Sequence, residues 1–61
     1  RYESALARLD GREREAVVLR IEMGLSYSEL AAAMDKPSAN AARMAVSRAL
    51  VRLAREMGHG D

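Results

Sequence analysis

The sequence predicts an all-α fold: a small four-helix domain with a helix-turn-helix and no wing. Three observations carry this expectation. Helix start and stop signals recur along the chain, as in "LDGRERE", "GLSYSEL" and "DKPSANAA". Strand signals are nearly absent, because no alternating Val/Ile/Thr/aromatic run occurs and Phe and Trp are missing altogether. Finally, two helical stretches are separated near Lys36-Pro37 by a turn of about three residues, the spacing of a helix-turn-helix.

The first helix is expected at about residues 2–9, with Ala5, Leu6 and Leu9 on one side. Asp10-Gly11 breaks it, and Asp10 can cap the next start. A second helix follows at about residues 12–23. Ala16, Val17, Val18, Leu19 and Ile21 cover so much of its circumference that it should sit centrally. Gly24 closes it as a left-handed C-cap. Ser26 and Glu29 have capping-box spacing, which opens a third helix at about residues 26–35. Pro37 pushes Lys36 out of helical geometry, and Ser38 is the N-cap of a fourth helix at about residues 38–57, ended by Gly58 and Gly60.

Bulk properties bound what such a fold can do. A chain of 61 residues forms one domain, and at this size about 60% of the unfolded surface is buried, so the core is small. Without cysteine there is no disulfide, thiolate metal site or thiol nucleophile. The single His59 lies in a Gly-flanked tail. No run approaches the roughly 18 apolar residues of a membrane span, and no signal-peptide pattern occurs, so the chain reads as soluble. It begins at Arg1 rather than Met, as expected of a piece of a longer protein. The net charge of +1 conceals a polarity. Residues 1–35 hold five Arg against seven acids, whereas residues 36–61 hold Lys36 and four Arg against Glu56 and Asp61. That asymmetry points to a polyanion approached by the C-terminal part.

The fourth helix divides into two faces. At 100° per residue Ala42, Val46, Ala49, Leu53 and Met57 form a core stripe, with Leu50 at its margin. The other side of its first half carries Asn40, Arg43, Met44, Ser47 and Arg48, with Ala41 at the edge. In a helix-turn-helix the N-terminal part of this helix enters the major groove, about 12 Å wide. There Arg can read a guanine edge, Asn an adenine edge, and Met44 or Ala41 a thymine methyl. Arg52 and Arg55 lie past the groove-facing part and suit phosphates or salt bridges. A membrane-surface role would need bulky residues on a face that is mostly Ala and is needed for the core. Enzymatic readings fare worse: Glu13, Glu15 and Glu22 lie among arginines with no orienting partner, and no catalytic residue, metal or cofactor is expected.

"LDGREREAVVLRIEMGLSYSELAAAM" followed by "ARMAVSRALVRL" resembles region 4 of bacterial RNA polymerase sigma factors, particularly the extracytoplasmic-function group. The likeness covers about residues 2–57. The resemblance implies recognition of the promoter −35 element by the fourth helix and docking on the flap of the RNA polymerase β subunit, in the cytoplasm, with an anti-sigma factor as a further possible partner. Carried over by position, Arg43, Met44, Ser47 and Arg48 face the bases, with Asn40 ahead of them. Arg20, Ser26 and Tyr27 hold the DNA backbone, and Arg52 is a further phosphate residue. The start of the helix departs from the family, where a "G-T-V-K/R-S-R" type segment is usual. Here "SANAARMAV" is one residue longer, which leaves the register of Ser38–Ala41 on DNA open.

Two rivals differ in partner. The stretch "REREAVVLRIEMGLSYSELA" also looks like the opening of LuxR-type response-regulator domains, although their usual "T-V-K-x-H" continuation is missing. A helical protein-interaction module would instead offer its Arg face to an acidic partner such as an anti-sigma protein.

Overall fold

A computed structural model describes residues 1–58, so His59 and the expected stop at Gly60 lie outside the described residues. The order is α1 (Tyr2–Arg8), α2 (Gly11–Val17) running into a π-helical turn (Val18–Glu22), α3 (Tyr27–Ala33) and α4 (Ala39–Gly58). Ala5, Leu9, Ala16, Val17, Leu30, Ala31 and Met34 close on Ala42, Val46, Ala49 and Leu53 of α4 to make one core. No polar side chain is buried among the described residues. Burial of apolar surface therefore holds the fold, and the polar groups do their work at its edges.

The central element is α4, against which α1, α2 and α3 all pack. This corrects the expectation that the second helix is central. At 20 residues α4 spans about 30 Å, long enough to reach every other helix, whereas α2 has only seven residues before its geometry changes. The same correction reaches Ile21, which is 55% exposed. The apolar residues around the second helix exceed what the neighbouring helices can cover, and Ile21 is left outside.

Caps set the helix ends. Asp10 accepts from the Glu13 N–H at 2.8 Å while the Glu13 carboxylate accepts from the Asp10 N–H at 3.0 Å, a full capping box. Ser26 and Glu29 make the same reciprocal pair at 3.1 and 2.7 Å. The Ser38 hydroxyl accepts from the Ala41 N–H at 3.1 Å, which places Ser38 as the cap of α4. The third helix stops two residues short of the expected end. The Lys36 N–H donates to the Ala31 carbonyl and the Asp35 N–H to the Ala32 carbonyl, a Schellman closure that needs a left-handed residue. Asp35 supplies it at φ 56°, a conformation that short polar side chains tolerate.

The second helix ends differently. The Met23 N–H reaches back five residues to the Val18 carbonyl, and the Leu25 N–H reaches six to Leu19. The turn is thereby widened to π geometry before Gly24, at φ 71°, reverses the chain as expected. The Tyr2 hydroxyl donates to a Glu22 oxygen at 2.8 Å and so ties α1 to this turn. That hydrogen bond to an anion, followed by partial desolvation, holds the Tyr2 phenol above its ordinary pKa.

Two outcomes test the third-helix cap. Ser26→Ala should lower unfolding stability by about 0.5–2 kcal/mol in denaturant titration, and an unchanged midpoint would contradict the cap. Hydrogen bonds from the Ser26 backbone N–H, and then the Ser26 side chain, depress the Glu29 pKa. The stability this contributes is full above the ordinary glutamate pKa of about 4.3 and is lost as pH falls through the lower folded value. Thermal melts on the acid side should therefore show a shallower loss in Glu29→Gln, which keeps an acceptor but cannot titrate.

Candidate nucleic-acid interface

The site is built on the first half of α4. Its inner stripe, Ala42, Val46 and Ala49, is almost completely buried, which turns the opposite side of the helix outward and leaves Ala45 half-buried at the margin. Asn40, Arg43, Met44, Ser47 and Arg48 are all exposed, and Met44 is 46% exposed despite being apolar. Small residues at the inner positions let α4 seat closely on α2 and α3. The capped start at Ser38 and the Asp35 turn fix the angle at which the strip emerges.

Within the strip Arg43 is held by Asn40. Its Nε and Nη2 donate to the Asn40 Oδ1 at 3.2 and 2.8 Å, and the Asn40 Nδ2 lies 3.8 Å from the Met44 sulfur. Residues three and four apart on a helix are neighbours, which is why these contacts form. Arg48 extends over the clefts beside α2, where Glu13, Ser47 and Val51 form part of the wall.

Arg20 and Tyr27 meet across the turn between the π segment and α3. The Arg20 Nη1 donates to the Leu25 carbonyl at 2.7 Å, and its guanidinium sits 4.1 Å from the Tyr27 ring centroid. Both side chains are half-buried. A stacked cation with a charge-assisted hydrogen bond braces the turn and still leaves donors on the guanidinium. Ser26 is occupied on both sides by Glu29, so the N–H groups of Tyr27 and Ser28 are the ones left at the start of α3, beside the negative Glu29 carboxylate.

Arg52 stands apart from the strip. Its Nε pairs with Glu56 at 3.2 Å and its Nη1 lies 3.8 Å from Glu13, while Glu56 also meets Arg8 at 3.6 Å. These pairs link α1, α2 and α4 at the surface, where each is worth about 0–1 kcal/mol.

Helical periodicity is enough to place these residues outward but not to give the pairings among them. The Asn40–Arg43 spacing of three was a signal for their contact. The Arg20–Tyr27 stack, seven residues apart around a π turn, had no periodic signature.

A helix-turn-helix with an exposed, Arg-bearing second helix is the arrangement that DNA-binding domains use to enter a groove. A family model for sigma-70, region 4, matches residues 1–53, and the chain belongs to that family. No curated protein and no solved structure matches it. The family is a non-enzymatic, DNA-binding part of sigma factors, associated with RNA polymerase in transcription initiation. Membership decides for the sigma reading over the LuxR-type one. Among the described residues no helix is long and apolar enough to cross a membrane.

The Arg20 brace yields a stability prediction. Arg20→Ala removes both the bond to Leu25 and the stack on Tyr27, and should cost about 1–3 kcal/mol in denaturant unfolding. Arg20→Lys should recover only part of the loss, since an ammonium lacks the planar, stacking fork. Equal midpoints for the three proteins would remove the brace from the account.

Proposed function

We propose that this domain recognises the promoter −35 element as region 4 of a sigma factor. The observation that carries the reading is the outward strip Arg43, Met44, Ser47 and Arg48, on the second helix of a helix-turn-helix in a chain of this family. In the major groove Arg43 and Arg48 supply donors for guanine edges, Met44 an apolar contact for a thymine methyl, and Ser47 a hydroxyl for either class of edge. Around them Arg20, Tyr27 and the start of α3 at Ser26 hold phosphates and fix the angle of approach. Arg52 joins them only by exchanging its ion pairs with Glu13 and Glu56, and so adds least.

A larger protein supplies the remaining contacts, with the domain docked on the polymerase β-subunit flap in the cytoplasm. Ile21 and Met23, 55% and 64% exposed at the π turn, suit that protein contact. Single exposed apolar residues are ordinary, and these two, lying on different sides of the turn, offer apolar surface at the end of the second helix for a protein partner to cover. An anti-sigma factor would compete for either these apolar side chains or the Arg strip.

Arg43→Ala in the full-length chain with core polymerase should weaken binding to the preferred sequence by about 1–3 kcal/mol and relax selection at one base position. Equal loss on random duplexes would mean that Arg43 contacts phosphate only. Met23→Lys should leave that base selection unchanged while lowering promoter-directed transcription, and an unaffected transcript level would take Met23 out of the polymerase contact.

A further inference from the structure

The Asn40 amide is committed inside the molecule. Its Oδ1 accepts from both Nε and Nη2 of Arg43, at 3.2 and 2.8 Å, and an amide oxygen has two lone pairs. Arg has donors only, so it is the oxygen and not the nitrogen of Asn40 that faces it. What remains on Asn40 is its Nδ2, a donor beside the weakly accepting sulfur of Met44.

This arrangement decides how both residues meet a base. An asparagine reads adenine by accepting from N6 and donating to N7 together, and Asn40 has no acceptor left for the first of these. Arginine can approach guanine along its Nε–Nη2 edge or end-on through Nη1 and Nη2. The first edge is taken by Asn40. The end-on donors are free, and their spacing suits the O6 and N7 acceptors of guanine. Holding the guanidinium in place also removes rotamer freedom that Arg43 would otherwise lose on binding.

We propose that Asn40 is a positioning residue which presents Arg43 end-on to a guanine and does not itself read an adenine. This rests on the −35 recognition reading. It assigns a role to the first turn of α4, where the extra residue of "SANAARMAV" had left the register open. The base pair nearest Asn40 is accordingly read weakly, and the one opposite Arg43 strongly.

The test is selection of bound sequences from random duplexes by the full-length chain with core polymerase, for wild type, Asn40→Ala, Asn40→Asp, Arg43→Ala and the double alanine variant. Asn40→Ala should reduce affinity for the preferred site about three- to tenfold, with selection relaxed at the same position that Arg43→Ala relaxes. In the Arg43→Ala background it should have no further effect, because the contact it serves has gone. Asn40→Asp keeps the acceptor pair for Arg43, so guanine preference at that position should survive even as overall affinity falls from the added negative charge.

If Asn40 read its own base, Asn40→Ala would relax a second position whether or not Arg43 is present, and Asn40→Asp would turn an adenine preference there toward cytosine. Either result overturns the inference, as does an Asn40→Ala variant indistinguishable from wild type. A wild-type protein that selects no motif overturns the −35 reading and this inference with it. The wild-type arm thus separates the two failures.

Discussion

Burial of Ala42, Val46 and Ala49 against the other three helices is the constraint on which the rest of the structure depends. These side chains are small, so α4 approaches its neighbours closely, and its own backbone helps to fill the centre of the fold. Because they recur at helical spacing, fixing them inward turns residues 43, 44, 47 and 48 outward, while Ala45 stays half-buried at the edge of the stripe. Arg43, Met44, Ser47 and Arg48 are therefore turned outward by core packing, and the Asn40 contact then orients the Arg43 guanidinium within that strip. A chain this short has little apolar area to bury, and running α4 through the middle of the core gives its outward face rigid support.

The polar groups have a different task. Capping boxes at Asp10/Glu13 and Ser26/Glu29, the Ser38 cap and the Asp35 closure set where each helix begins and ends. The angle between α3 and α4 follows from them. Arg20 adds a brace from the π turn to the start of α3, joining the second helix to the helix-turn-helix by a bond to Leu25 and a stack on Tyr27. The same side chain thus stabilises the turn and stands where a phosphate is expected. Its remaining donors are held in a fixed orientation at the surface of the turn.

Legibility in the sequence followed the range of the interaction. The four helices, the Ser26–Glu29 box, the Ser38 cap, the left-handed Gly24 and the core stripe of α4 all depend on residues within a turn or two, and local pattern reveals them. The centrality of α4, the exposure of Ile21 and the π turn at Val18–Glu22 depend on how much surface distant helices can cover, which no window of sequence encodes. The candidate interface divides in the same way. Outward placement of Arg43 and Arg48 follows from periodicity, whereas the commitment of Asn40 to Arg43 and of Arg52 to Glu13 and Glu56 arises from side-chain geometry.

The most direct measurement of the central claim is site-specific photocrosslinking in the full-length chain with core polymerase on promoter DNA. A photoreactive side chain at Met44, on the outward strip, should crosslink to one short stretch of the −35 element. The same group at Met23, at the end of the π turn, should crosslink to polymerase and not to DNA. Crosslinking from Met44 to protein alone, or without preference along the duplex, would contradict the account of α4 as the helix that reads the promoter.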